Sequence, residues 1–149
     1  MHDKIFLNMD NDLLNRNRNI NRGFRKLDIW KEAIEIYKLV RAILNKNPEI
    51  PFKVNAQIED SALSMSSNIA EEYSRRSIKE NLRFYEISLS SGAENFSQMF
   101  ALCNAKQIGK EVFLTYDDKI YAWENKMINM NKSLISKMNS GAEWKSEYQ

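Results

Sequence analysis

Apolar residues recur every three or four positions through most of the chain, which is the period of an amphipathic helix. Trp30, Ala33, Tyr37, Val40 and Leu44 predict a first helix over about 27–47, and Pro48 prevents its continuation. After Pro51, a second stripe of Ile58, Ala62, Met65, Ile69 and Tyr73 predicts a helix over about 52–74. The third begins at the sequence SIKE, where Ser77 and Glu80 form a capping box worth about 1 kcal/mol. Leu82, Leu89, Phe96 and Cys103 then recur at sevens, with Tyr85, Gly92 and Met99 between them, and Gly109 is expected as a left-handed stop. A fourth helix is predicted from Thr115–Asp118 to about Met138 through Ile120, Trp123, Met127, Met130 and Leu134. Short connections make sequence neighbours antiparallel, so the expected fold is all-α, an up-down-up-down four-helix bundle over 24–138.

The polar positions of the middle two helices qualify this pattern. Ser61, Ser64, Ser67 and Asn68 on one, and Ser88, Ser91, Gly92 and Ala93 on the other, predict a seam where two backbones approach closely. Buried hydroxyls and amides must be hydrogen-bonded, since an unpaired one costs about 1–3 kcal/mol. An Asn68–Glu94 network is the expected solution.

Composition fits this reading and narrows the function. The 149 residues suffice for one domain, and four glycines with two prolines supply few of the turns a many-stranded sheet needs. No apolar run approaches the roughly 18 residues of a membrane span, and the start MHDKIFLNMD lacks the basic and apolar regions of a leader, so a cytoplasmic protein without membrane contact is expected. Cys103 is the only cysteine, which leaves no internal disulfide. Residues 1–23 hold six asparagines without a sustained period and read as a flexible arm, and 139–149 read as a tail. From Leu13 to Lys26 there are five basic residues and no carboxylate, although the chain nets only +2. The arm is either a solvated tail or a nucleic-acid contact.

In the expected topology Arg22, Arg25 and Lys26 lie at the same end as Arg75, Arg76 and Lys79, and Arg16 and Arg18 of the arm join them. That makes them the candidate phosphate-binding set, with Asp28, Glu71, Glu72 and Glu80 offsetting part of the charge.

The segments FRKLDIWKEA (Phe24–Ala33), QIEDSALSMSSNIAEEYSRRSIKENLRFYEIS (Gln57–Ser88) and SSGAE (Ser90–Glu94) resemble the proteins encoded in intervening sequences of bacterial 23S ribosomal RNA genes. SNIAE is the most specific piece, and the ordered succession of blocks spans about 24–138. The resemblance implies an antiparallel four-helix bundle, a ring-like homopentamer and a nucleic-acid-binding role not tied to a defined ligand. It also implies kinship with the accessory protein of diversity-generating retroelements, a basic pentamer that works with a reverse transcriptase and RNA. Four positions depart from the pattern: Ser66 stands where the family has proline, Glu72 where glycine follows the block, and Glu59 with Asp60 where a basic pair is common. The last change removes positive charge from the second helix.

Second stripes, Ile29, Ile36 and Ile43 on the first helix and Tyr121, Ile128 and Ile135 on the fourth, either widen one core-facing stripe or cover a neighbouring subunit. With the resemblance added, a homo-oligomer is expected, a pentamer first. Catalysis finds no constellation. His2 is the only histidine, Glu80, Glu86 and Glu94 lack the Glu-x-x-His partners of a di-metal bundle, and there is no phosphate loop or nucleophile elbow. No enzyme activity, cofactor or metal is expected. Two classes remain: an RNA- or DNA-binding assembly, RNA first, and a scaffold or accessory subunit for a protein partner such as a reverse transcriptase.

Overall fold

The computed structural model describes residues 9–75 and 77–141. Among them the protein is all-helical: α1 (Asn11–Asn15), a 3-10 segment (Ile20–Lys26), α2 (Asp28–Asn45), α3 (Phe52–Tyr73), α4 (Ile78–Asn104) and α5 (Lys110–Asn139), with no strand.

Residues 10–26 form a short helix and a 3-10 segment, joined by local polar contacts. Asp10 caps α1 by accepting from the backbone N–H groups of Asp12 and Leu13 at 3.0 and 3.2 Å. Asn17 then turns the chain with a φ of 49°, a left-handed conformation that asparagine tolerates. Arg25 of the 3-10 segment reaches back, its Nη1 donating to the carbonyls of Leu13 and Arg16 at 3.1 and 2.8 Å.

The end of α4 also differs from expectation. Lys106, with φ 61°, is the left-handed residue, and its N–H and that of Gln107 close onto Cys103 O and Leu102 O. Gly109 has an extended conformation and is the N-cap of α5, which therefore starts at Lys110, five residues before the expected Thr115.

Each long helix packs against two others: α3 against α2 and α4, and α5 against α4 and α2. Cross-helix bonds fix the register of α3 on α4. Ser61 Oγ donates to Gln98 Oε1 at 2.7 Å, Ser64 Oγ meets Ser91 Oγ at 2.8 Å, and Ser88 Oγ donates to Met65 O at 2.8 Å. As the α3 number rises the α4 number falls, so these two helices run antiparallel. Phe113 and Tyr116 of α5 meet Phe96, Phe100 and Asn95 of α4, while Trp123 lies over Gly92. That pair is antiparallel too.

The core between the four long helices holds Ile36, Val40, Ile58, Ala62, Met65, Ile69, Met99, Tyr116, Ile120, Trp123 and Met127, all fully buried. Ile29 and Ile43 join them at 4 and 5% exposure, so the stripe Ile29, Ile36 and Ile43 faces the chain's own core and is not available to a second subunit. One wide apolar face accounts for all of α2, because 3.6-residue periodicity spreads core positions over more than a single line.

The small-residue seam is present, but Asn68 and Glu94 are not partners. Asn68 Nδ2 donates to the carbonyl and hydroxyl of Ser64 at 2.8 and 2.9 Å, one turn back on its own helix. Glu94 is exposed and accepts from Gln98 at 3.4 Å. The residue that crosses the seam is Asn95, fully buried. It donates to Ile58 O and Ser61 Oγ, both at 3.0 Å, and accepts from the Tyr116 hydroxyl. Glu94 lies one position away on the helix and so points elsewhere.

Gly92 makes the third contact of this region possible. A β-carbon there would sit 2.6 Å from Cζ3 of Trp123, whose indole N–H is committed to Ile29 O at 3.0 Å. Gly92→Ala gains helix propensity of up to about 1 kcal/mol, yet overpacking against an immobile ring costs about 1–3 kcal/mol. We expect a net loss in denaturant unfolding, whereas exposed Ser90→Ala should stay within about 0.5 kcal/mol of the parent. An unchanged midpoint for Gly92→Ala would show that the Trp123–Gly92 contact does not constrain the fold.

Candidate nucleic-acid interface

The 3-10 segment docks on the C-terminal end of α3, where Gly23 packs against the ring and hydroxyl of Tyr73. A β-carbon at residue 23 would fall 2.5 Å from that hydroxyl, so glycine is what allows the approach. The T-shaped pair of Phe24 and Trp30, with centroids 5.2 Å apart, joins the same segment to α2. Leu27, Asp28 and Ile29 face Asn129, Met130 and Ser133 of α5 across an apolar cavity of about 410 Å³. Residues far apart in sequence thus converge at one end of the molecule.

A second cavity, of about 330 Å³, opens between α1, the 3-10 segment and the first turn of α2. Five cations line it, Arg18, Arg22, Arg25, Lys26 and Lys31, together with Asn11, Asn15 and Asn19, and no carboxylate is among its lining residues. Arg18 donates to Asn15 Oδ1, and Arg22 donates to Asn17 O at 3.3 Å. Arg25 is half-buried, with its Nη1 tied to the two α1 carbonyls and its Nε without a partner. Arginine forks beside amide groups suit a phosphorylated anion, because the guanidinium offers paired donors to two oxygens at once.

The remaining candidates are placed as follows. Arg16 is exposed at the end of α1 and lends its carbonyl to Arg25. Arg75 is engaged locally: its Nη2 donates to Glu71 Oε1 at 3.1 Å and its guanidinium lies 4.9 Å from the centroid of Phe84. Lys79 is exposed on the first turn of α4. Arg76 lies outside the described residues. Glu59, acidic where a basic residue was expected, forms an ion pair with Arg41 of α2.

Sequence reasoning missed Lys31. Helical side chains lean toward the N-terminus, so a residue one turn inside α2 covers the surface beside the preceding segment, and that direction was the available signal. It also missed Leu114, exposed on α5. Starting the helix at Lys110 places Leu114 seven residues before Tyr121, in line with Ile128 and Ile135.

Beneath the basic end lies a buried polar group. Glu72, at 1% exposure, lies beside Tyr85 of α4, and burial pushes its carboxyl up from 4.5 to about 7. Burial and the neighbouring Glu72 also push the Tyr85 hydroxyl up. Oε2 of Glu72 and both side-chain polar atoms of fully buried Asn81 have no partner. Among the described residues no three His, Cys, Asp or Glu side chains converge as a metal site would require.

The family model of the 23S rRNA-intervening sequence protein matches residues 25–130, about two thirds of the chain. The protein belongs to this family. No curated protein matches it. The family match begins at Arg25, so this intervening-sequence protein builds its basic cavity partly from family residues, Arg25, Lys26 and Lys31, and partly from the preceding arm.

The raised Glu72 carboxyl has a pH consequence of definite sign. The folded state holds this proton more tightly than the unfolded chain, so stability is fully present below about pH 4.5 and falls as pH rises toward about 7. The shift corresponds to a loss on the order of 3 kcal/mol. Glu72→Gln should remove that slope, read as the difference between variant and parent unfolding free energies from pH 4.5 to 7.5. Parallel pH profiles would show that Glu72 ionises normally.

Proposed function

We propose that this protein is a non-catalytic, self-associating nucleic-acid-binding protein of the cytoplasm, with RNA as its main ligand, built on an antiparallel up-down-up-down four-helix bundle. The observation that carries the binding reading is the convergence of Arg18, Arg22, Arg25, Lys26 and Lys31 on one concave surface without a lining carboxylate, at the end that also presents Lys79. The order of helix contacts and the antiparallel registers support the bundle topology. Membership in a family of 23S rRNA-intervening sequence proteins is compatible with an RNA ligand. Among the described residues no helix is long and apolar enough to cross a membrane, which fits an aqueous compartment.

Self-association is supported by α5. Leu114, Tyr121, Ile128 and Ile135 are 46, 65, 40 and 41% exposed and stand seven residues apart, a seam with the 3.5-residue repeat of helix–helix packing. Covering what remains exposed contributes on the order of 1 kcal/mol per side chain. One such seam barely meets the roughly 4–15 kcal/mol cost of association. A ring lets each subunit contribute its seam once and a receiving face once, and exposed Leu63, Ile87 and Phe100 offer apolar surface for the latter. A homopentamer is the closed ring we favour. The second reading takes the same seam as the docking face for a different protein, such as a polymerase, in an accessory role.

Two measurements test these readings. Binding to a generic RNA should weaken with added salt, each neutralised phosphate contributing about 0.7 to the log–log slope on a single strand, and Lys79→Glu should lower affinity across unrelated sequences. A flat salt response rejects nucleic-acid binding. In light scattering the protein should give a multiple of 17.5 kDa that Ile128→Glu reduces to the single-chain mass. A single-chain parent would reject self-association and favour the partner-docking reading.

A further inference from the structure

We propose that the arm cavity is an end-recognition site for the di- or triphosphate of a nucleoside, carried either by a free nucleotide or by the 5′ end of an RNA chain. Five cations and three asparagines surround a single concavity of about 330 Å³. Its RNA-end form rests on the nucleic-acid reading above.

Charge density distinguishes a chain end from an internal linkage. An internal phosphodiester carries one negative charge, and successive ones are spread along the strand. A terminal phosphate alone carries about 1.5–2 charges near neutral pH, and adding one or two phosphates concentrates more charge in the same small volume. Arg18, Arg22, Arg25, Lys26 and Lys31 line one concavity, an arrangement that suits a concentrated polyanion. Shape agrees. The cavity lies at the low end of small-ligand volumes, and a concave site admits a chain end more readily than a strand that must enter and leave.

Arginine geometry points the same way. Arg25 is held by two bonds to the carbonyls of Leu13 and Arg16, which fixes its guanidinium before any ligand arrives. Preorganisation of this kind lowers the ordering cost of binding. Asn11, Asn15 and Asn19 supply neutral amides in the lining, the side chain able to both donate to and accept from a base edge. Asn15 is already engaged by Asn11 O and Arg18, which leaves Asn11 and Asn19 for that role.

The test uses the full chain and four probes at constant ionic strength: a single-stranded RNA with a 5′-hydroxyl, the same RNA with a 5′-triphosphate, ATP without magnesium, and sodium sulfate as a simple anion. We expect the 5′-triphosphate RNA to bind at least tenfold more tightly than its 5′-hydroxyl form. ATP should compete with it, and sulfate should not at matched ionic strength. The double variant Arg18→Ala with Lys31→Ala leaves the Arg25 strap in place and should erase the tenfold preference. Lys79→Ala lies outside the cavity and should weaken both RNAs equally. Circular dichroism should show unchanged helicity for each variant.

If ATP competes but the RNA end confers no preference, the ligand is the free nucleotide and the site stands. If the 5′-hydroxyl RNA fails to bind while ATP binds, the general RNA reading fails and the polyphosphate site survives it. Equal affinity of the two RNAs without ATP competition overturns the proposal, as does competition by sulfate equal to that of ATP.

Discussion

The close approach of α3 to α4 is the constraint on which the remaining geometry depends. Side-chain donors on α4 reach main-chain carbonyls of α3, Ser88 to Met65 and Asn95 to Ile58. A helix carbonyl keeps a second lone pair after making its intrahelical bond, so such contacts add to the helix without breaking it. They form only where the residues between the backbones are small. The same α4 face carries Gly92, and the space it leaves is filled by Trp123 of α5, whose indole N–H holds Ile29 O at the start of α2. The first turn of α2 supplies Lys31 to the basic cavity, and the segment just before it packs on Tyr73 at the end of α3. A bulky side chain in the seam would therefore be felt at the far surface, through a chain of named contacts.

Much of this was legible in the residues. The spacing of Ile58, Ala62, Met65 and Ile69 identified the buried line of α3, and all four are fully buried. Family membership was carried by the blocks around SNIAE, and the matched region, 25–130, contains them. What spacing could not decide was which of two adjacent residues crosses an interface. Glu94 and Asn95 differ by one position, about 100° on the helix, and that rotation separates solvent from core. For Ile29, Ile36 and Ile43 a heptad spacing fits either a separate seam or the edge of a broad core face. Only the neighbours of α2 distinguish these.

The start of α5 and the local structure of residues 10–26 were not legible, for different reasons. Thr115–Asp118 has the composition of a helix start, but Gly109 satisfies the same N-cap requirement earlier, and the polar residues then fall on the exposed side of a helix already under way. In the arm, asparagine-rich composition reads as disorder because no apolar period is present. Its order comes instead from short-range polar devices: the Asp10 cap, left-handed Asn17 and the Arg25 bonds to α1 carbonyls. None of these needs periodicity, so a search for periodicity does not find them.

Positive charge gathers at the arm and the start of α2 and is sparse along α3. Glu59 is paired with Arg41, Arg75 is held by Glu71 and stacked on Phe84, and Glu72 occupies a position where glycine was expected. Each of these removes basic character from α3 or its connection to α4. The arm before residue 25 works in the opposite direction, adding Arg18 and Arg22 to the family's Arg25, Lys26 and Lys31. Buried Glu72 subtracts less than it could, since a carboxyl titrating at about 7 is only half ionised at neutral pH. A short strap fixed by main-chain carbonyls thus gathers cations at one end of a helical scaffold whose α3 carries little positive charge. The division has a physical logic: residues that set helix spacing cannot vary without disturbing the core, whereas a strap docked through Gly23 and Arg25 can change its charge at little cost to the packing beneath it.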